Sequence, residues 1–291
     1  MTGEPHSVLD VQATLGEGPV WVKREQALYF VDIKNHRVHR FDPQSGEQRS
    51  WTAPCQVGWV LPAEDGTFLA GLQHGLARFD PANGMFAVIA TPEASMPGNR
   101  LNDATVDADG RVHFGSMDDG EEATTGRLYR LDGGAVQDSG LDPVCITNGP
   151  AISPDGRTLY HTDTLGRVIH AVPLNEDGSC GEPRVFATVD AADGWPDGSV
   201  CDAEGHVWIG LWGGWRARRY APDGRIVGEV RFPCANITKI AFGGADLRTA
   251  YATTARKGLD AAELEAQPLA GNLFAFDAGV AGLPGHLARL G

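Results

Sequence analysis

The segment Pro154-Asp155-Gly156-Arg157-Thr158-Leu159-Tyr160-His161 joins a tight turn to a strand-forming run, and the same arrangement recurs along the chain. Asp-Gly is a typical turn sequence, and the alternating or apolar residues after it favour β-structure. The repeated turns are centred on Arg24, Asp65, Asp109, Asp155, Glu204 and Asp246. Their successive spacings of 41, 44, 46, 49 and 42 residues indicate six units of similar length.

Each repeated turn joins two short strand-forming runs, and further strands follow in most units. Four strands in a unit of about 40 to 50 residues are typical of one β-propeller blade. The sequence therefore predicts an all-β, six-bladed propeller that forms a single domain over residues 1–291. Because an open ring needs its ends joined, we expect residues 7–11 to pair with the last blade near residues 273–276. Residues 259–267 are the best helix candidate.

Composition restricts the classes of partner. The 291 residues are 42% hydrophobic and carry a formal net charge of −14, which argues against binding nucleic acid or an anionic membrane. No targeting segment or apolar membrane span is visible, so a cytoplasmic protein is expected. The 5 cysteines and 9 histidines have no spacing typical of zinc ligands. Any bound metal is therefore expected to have mainly oxygen ligands.

A column of residues lies seven positions before the six turn centres. Its members are Glu17, Gly58, Asn102, Asn148, Asp197 and Lys239. Since each position precedes the strand that enters the turn, we expect five of the six side chains, those other than Gly58, to meet at one mouth of the central channel.

Glu17, Asn148 and Asp197 each precede a glycine. Two carboxylates and an amide carbonyl are oxygen donors suited to one divalent cation, which we leave as Ca, Zn, Mn, Mg or Fe. Without a cation the two carboxylates would repel each other at close range. The alternative is that all three are ordinary turn residues, since Asn-Gly and Asp-Gly are common turn sequences.

Other polar residues suit the recognition of substrate hydroxyl groups. Arg100 and Asn102 offer directional hydrogen bonds at what we expect to be an exposed mouth, although a surface arginine and an Asx-turn are the alternative. Glu121 lies in an acidic loop, residues 117–122, that would cover the channel. Lys239 would either stabilise an anion or offset the acidic channel.

Several motifs together resemble one protein family. They are Gly16-Glu17-Gly18-Pro19-Val20-Trp21, Arg100-Leu101-Asn102-Asp103, Thr147-Asn148-Gly149-Pro150, Pro196-Asp197-Gly198 and Phe242-Gly243-Gly244-Ala245-Asp246-Leu247. The set is similar to the signatures of the gluconolactonase, regucalcin (senescence marker protein) and luciferin-regenerating-enzyme family. The resemblance spans nearly the whole chain in the correct order, and the stretch 100–122 is most similar to bacterial xylonolactonases and arabinonolactonases.

The resemblance implies a six-bladed propeller with one divalent metal held by Glu17, Asn148 and Asp197. It also implies substrate contacts from Arg100, Asn102 and Glu121, and the Asp118-Asp119-Gly120 run before that glutamate departs from the family pattern. The expected activity is hydrolysis of a sugar lactone, preferably a pentono-1,4-lactone such as xylonolactone or arabinonolactone, and otherwise gluconolactone. Asp197 would be the catalytic residue.

The chemistry of lactone opening agrees with these residues. A Lewis-acidic cation can polarise the carbonyl and activate water, so no covalent nucleophile is required. The sequence contains no Gly-x-Ser-x-Gly nucleophile motif. Two alternatives stay open, a non-catalytic metal-binding propeller with a regulatory or scaffold role, and a hydrolase of phosphate esters or hydrophobic lactones.

Overall fold

A computed structural model describes residues 3–291. Its strands form six four-stranded antiparallel sheets, each corresponding to one repeat of the sequence. Contacts between first strands of successive sheets close a ring around a channel. The six-bladed β-propeller predicted from the repeat spacing is therefore confirmed.

The first three blades follow the chain from the channel outward. Blade 1 contains β2 (Gly16–Val22), β3 (Ala27–Asp32), β4 (Arg37–Phe41) and β5 (Gln48–Thr52). Blade 2 contains β6 (Val57–Pro62), β7 (Phe68–Leu72), β8 (Gly75–Asp80) and β9 (Met85–Ala90). Blade 3 contains β10 (Asn99–Val106), β11 (Val112–Asp118), β12 (Leu128–Asp132) and β13 (Ala135–Asp138).

The next two blades have the same order. Blade 4 contains β14 (Thr147–Ile152), β15 (Thr158–Asp163), β16 (Val168–Pro173) and β17 (Arg184–Thr188). Blade 5 contains β18 (Trp195–Cys201), β19 (Val207–Trp212), β20 (Arg216–Tyr220) and β21 (Ile226–Arg231).

Blade 6 joins the two ends of the chain. It contains β22 (Ile237–Gly243), β23 (Thr249–Thr254) and β24 (Leu273–Asp277), and β1 (His6–Leu9) supplies its outer strand. Ser7 of β1 lies opposite Phe274 of β24 in an antiparallel pair. This pairing closes the ring, because the last blade takes its fourth strand from the other end of the chain.

The hydrophobic core lies mainly between neighbouring blades. Blades 1 and 2 meet through Tyr29 and Phe68, whose ring centroids are 4.5 Å apart. Blades 5 and 6 meet through Trp208, Phe242 and Phe276. Each blade therefore buries its apolar side chains against the next one, which is why a complete ring is needed to cover the core.

The helical segments are short. A 3-10 helix occupies Ala191–Asp193, and α1 covers Ala261–Ala266. Asp260 caps α1 by accepting a hydrogen bond from the Glu263 amide. The predicted helix exists but is shorter than 259–267 at both ends. Among residues 3–291, no helix has both the length and the apolar character that crossing a bilayer requires.

The C-terminal segment, residues 278–291, crosses the turn end of the channel. Gly282 pairs with Asp202 of blade 5, and Ala288 pairs with Ala63 of blade 2. Behind this segment lies a cavity of about 930 Å³, whose walls include Leu61, Val106, Ile152, Phe242, Leu283 and Leu287. The half of the channel nearest the turns is therefore hollow and largely apolar.

Gly210 in β19 lies where blades 5 and 6 approach each other closely. A Cβ atom on Gly210 would lie 2.6 Å from the Ile237 carbonyl oxygen of blade 6, which is backbone and cannot turn away. We expect Gly210→Ala to lower the free energy of unfolding by about 2 kcal/mol, as measured by urea denaturation. Gly228→Ala is the matched control, since a Cβ there meets only the Arg219 Cβ at 4.0 Å. Equal stabilities of the two variants would contradict the close packing of blades 5 and 6.

Candidate active site at the channel mouth

An irregularity interrupts the first strand of every blade. The register against the second strand shifts between Glu17 and Val20, Val57 and Trp59, Asn102 and Ala104, Asn148 and Ala151, Pro196 and Ser199, and Ile237 and Ile240. All six column residues lie within or directly beside these shifts. Because a bulge redirects side chains locally, the repeat places six redirected positions at one level of the channel.

The glycines of the column motifs are required by close contact between blades. A Cβ on Gly149 would lie 2.8 Å from Ser199 Oγ of blade 5, and one on Gly198 would lie 2.7 Å from Lys239 Cβ of blade 6. A Cβ on Gly18 would meet the Gly58 carbonyl oxygen at 3.0 Å. These glycines let neighbouring inner strands approach. They lie within strands β2, β14 and β18, so the alternative that the three motifs are ordinary turns is wrong.

Glu17 and Asp197 are buried carboxylates with few partners. Glu17 accepts a hydrogen bond of 2.8 Å from the Gly18 amide, and none of the described residues donates one to the Asp197 side chain. Burial, followed by the charge of Asp103, raises the pKa of Glu17 to about 8. Burial, followed by the charge of Glu17, raises the pKa of Asp197 well above its ordinary value. The charge of ionised Glu17 therefore disfavours the ionised form of Asp197.

Asn148 is held with its side chain oriented. Its Nδ2 donates to Thr164 Oγ1 at 2.9 Å, which leaves Oδ1 as the acceptor. Asn102 Nδ2 donates to that Oδ1 at 2.9 Å, and Arg100 Nη1 donates to Asn102 Oδ1 at 2.7 Å. A hydrogen-bonded row thus runs from Arg100 through Asn102 to Asn148.

These residues fit a hard divalent cation. Two buried carboxylates lack the donors that would compensate their charge, and the oriented Asn148 Oδ1 adds a neutral oxygen. A cation between the carboxylates would favour their ionised forms. Within residues 3–291, no three His, Cys, Asp or Glu side chains form a metal cluster, so an amide oxygen is needed to complete a three-residue set.

Arg100 is not exposed as the sequence led us to expect. Its side chain is buried, and it donates to the Leu101 carbonyl oxygen, to Asn102 and, through Nε at 3.0 Å, to Asp119. The sequence predicted that Arg100 belongs to the site, but it did not predict that the Asp119 carboxylate fixes the plane of the guanidinium group. Its Nη2 donates to none of the described residues and is the group left for a ligand.

Asp119 is the residue that sequence reasoning missed. Its carboxylate accepts from Lys34 at 2.7 Å, from Gln56 at 2.8 Å and from Arg100 at 3.0 Å. Burial acts to raise the pKa of Asp119, but these donors outweigh it and lower the pKa to about 2. Asp119 therefore stays ionised and connects blades 1, 2 and 3 at the mouth. The acidic run 117–122 was the available signal, although it gave no means of choosing among its members.

Glu121 lies in the same loop and is exposed, with a backbone φ of 61°. Its side chain forms an ion pair with Lys257, from the loop after β23 in blade 6. Blades 3 and 6 are on opposite sides of the ring, so the loop after β11 reaches across the mouth. Asp119 therefore contacts Arg100, whereas Glu121 lies above the mouth and pairs with Lys257.

The fold places this protein in the class of six-bladed β-propellers. One mouth of its channel contains the two carboxylates of Glu17 and Asp197 and the amide of Asn148. A family described as SMP-30/Gluconolactonase/LRE-like region matches residues 15–256. The chain belongs to this family, as the sequence motifs suggested.

Individual relatives extend this comparison. The chain is 35% identical over 271 residues to a 6-deoxy-6-sulfogluconolactonase of Pseudomonas putida, with 93% of each chain covered. It is 35% identical over 276 residues to an L-arabinolactonase of Azospirillum brasilense, covering 94% of this chain and 91% of the relative. A crystal structure of the calcium-binding protein regucalcin from Agrobacterium tumefaciens superposes with a TM-score of 0.95 at 30% identity, covering 99% and 98% of the two chains.

The raised pKa of Glu17 predicts a pH-dependent stability in protein kept free of divalent cations by EDTA. Between its ordinary value of 4.5 and about 8, the unfolded chain has lost a proton that the folded protein keeps. Stability conferred by Glu17 therefore falls as pH rises. Glu17→Gln cannot titrate, so its free energy of unfolding minus that of wild type should grow from about pH 5 to about pH 8, as measured by urea denaturation.

The exposed Glu182→Gln serves as the control, since the Glu182 side chain forms no hydrogen bond or ion pair with the described residues, and it should show no comparable trend with pH. A constant difference for Glu17→Gln as well would contradict the burial of an uncompensated carboxyl at the mouth.

Proposed function

We propose that this protein is a metal-dependent sugar lactonase that opens an aldonolactone to the free aldonic acid. The observation that carries this proposal is the pair of buried, sparsely hydrogen-bonded carboxylates, Glu17 and Asp197, beside an oriented Asn148. Relatives named as sugar lactonases cover more than nine tenths of the chain and support the same class of substrate.

Glu17, Asn148 and Asp197 would hold one divalent cation. The cation would supply Lewis acidity toward the lactone carbonyl. The regucalcin relative is described as a calcium-binding protein, which supports calcium as the first cation to test.

Arg100 and Asn102 position the sugar. Arg100 Nη2 is free to donate to a hydroxyl or carbonyl oxygen, while Asp119 holds the guanidinium plane through Nε. Asn102 keeps the Asn148 oxygen oriented and faces the same mouth. Glu121, at the end of the loop above the mouth, accepts from a substrate hydroxyl when it is released from Lys257.

Asp197 moves the proton of the reaction. It takes a proton from the attacking water while the water oxygen forms a bond to the carbonyl carbon. It then returns the proton to the ring oxygen as the ring carbon–oxygen bond breaks. The products are one carboxyl and one hydroxyl group on the same molecule, and no covalent enzyme intermediate is formed.

Removal of one carboxylate tests the cation site. Glu17→Gln and Asp197→Asn each delete a charged ligand, so we expect the affinity for Ca²⁺ or Mn²⁺ to fall at least about a hundredfold, beyond the effect typical of outer-shell residues. Calorimetric titration of EDTA-treated protein measures this affinity, and Glu47→Gln on the surface is the control. Unchanged affinity and stoichiometry in both variants would rule out this site.

A pentono-1,4-lactone is the preferred substrate in this proposal. The L-arabinolactonase relative supports it, whereas the sulfogluconolactonase relative supports a six-carbon sugar. We expect xylono- and arabinono-1,4-lactone to be hydrolysed with higher kcat/KM than galactono- and gluconolactone, each corrected for spontaneous opening. A preference for gluconolactone would overturn the pentonolactone assignment. Background rates for every lactone, with metal bound, would favour the non-catalytic metal-binding propeller.

A further inference from the structure

One ion pair crosses the channel beneath the candidate cation site. Lys239 in the first strand of blade 6 donates through Nζ to Asp103 Oδ1 in the first strand of blade 3. These blades lie on opposite sides of the ring. The exposed fraction of the two side chains is 8% for Lys239 and 2% for Asp103, so the pair is shielded from bulk water.

The pair lies at the boundary between two parts of the channel. Asp103 and Lys239 both line the cavity of about 930 Å³ on the turn side, whereas Glu17, Asn148 and Asp197 do not. The aliphatic stem of Lys239 passes directly against Gly198, the residue after Asp197. The cross-channel pair is therefore the floor of the mouth and the ceiling of the apolar cavity.

A contribution to folding alone is a poor account of this pair. Desolvating two charges offsets much of their attraction, and apolar replacements of buried ion pairs are often neutral or stabilising. Asp103 Oδ2 has no hydrogen-bond partner among the described residues, so Asp103 is only partly satisfied. An apolar pair would suit the walls of the cavity below equally well.

The Asp103–Lys239 pair lies near other charged side chains of the channel mouth. Glu17 and Asp197 contribute negative charge from blades 1 and 5, and Arg100 contributes positive charge from blade 3. The charge of Asp103 destabilises ionised Glu17 and Asp197, while the charge of Lys239 stabilises both. Asp103 occupies the Lys239 ammonium, which would otherwise be free to pair with the carboxylates above it.

We propose that Asp103 and Lys239 are a positioning pair, in which Asp103 holds the Lys239 ammonium away from Glu17 and Asp197 and so keeps both carboxylates available to a divalent cation. This inference rests on the proposed function, because it concerns the same cation site. Lys239 in turn neutralises Asp103, and the floor of the mouth carries no net charge.

We expect substitution of the two members of the pair to change the Kd for Ca²⁺ differently. In Asp103→Asn the ammonium is unneutralised and competes with the cation, so the Kd for Ca²⁺ should rise at least tenfold. In Lys239→Met the competitor is absent, so the Kd should not rise. In the double variant both charges are gone, and the Kd should return to within about threefold of wild type. Asp65→Asn removes a carboxylate from an exposed ion pair with Arg78 and is the matched control.

Calorimetric titration of Ca²⁺, repeated with Mn²⁺, into EDTA-treated full-length proteins measures these constants, and near-UV circular dichroism checks that each variant is folded. Weaker binding in Asp103→Asn, together with wild-type affinity in Lys239→Met and in the double variant, supports the proposal, since a pair with a purely structural role would weaken binding when either partner is removed. Weakening of equal size in Lys239→Met and in Asp103→Asn overturns it. A wild-type affinity in Asp103→Asn, or a double variant as weak as Asp103→Asn, overturns it. If Asp103→Asn does not fold, the double variant decides by the same threefold limit. Wild-type protein that binds neither cation overturns the proposed function and this inference together.

Discussion

Two carboxylates buried at one end of the central channel set the main constraint on this molecule. Glu17 and Asp197 are shielded from most water. Among the described residues, the Gly18 amide donates a hydrogen bond to Glu17, and none donates to the Asp197 side chain. Ionised carboxylates in such surroundings require a nearby positive charge. The amide row through Asn102, the buried Arg100 and the Lys239–Asp103 pair all lie where they can influence that charge balance.

The propeller makes this arrangement possible through repetition. Six inner strands reach the channel at the same level, and a register shift interrupts each one there. Glycines next to Glu17, Asn148 and Asp197 let neighbouring blades approach closely. One structural unit thus provides six positions, and the chemistry depends on which residue each repeat places in that position.

Much of the fold and part of the site could be predicted because they depend on local sequence. Turn residues at regular spacing fixed the number of blades, and the same spacing brought Glu17, Asn102, Asn148 and Asp197 into one column. Asp119 and the burial of Arg100 were missed because they depend on contacts between blades. Lys34 is 85 positions from Asp119, and Lys239 is 136 positions from Asp103. A short sequence motif cannot predict contacts between residues so far apart in the chain.

The most direct test is the position of a bound cation. Anomalous diffraction from crystals soaked with Mn²⁺ would locate the metal independently of any effect on activity. The account predicts one strong peak at the channel mouth, within bonding distance of carboxylate oxygens of Glu17 and Asp197 and of Asn148 Oδ1. A peak bound elsewhere, or no peak at a concentration that supports lactone hydrolysis, would contradict it.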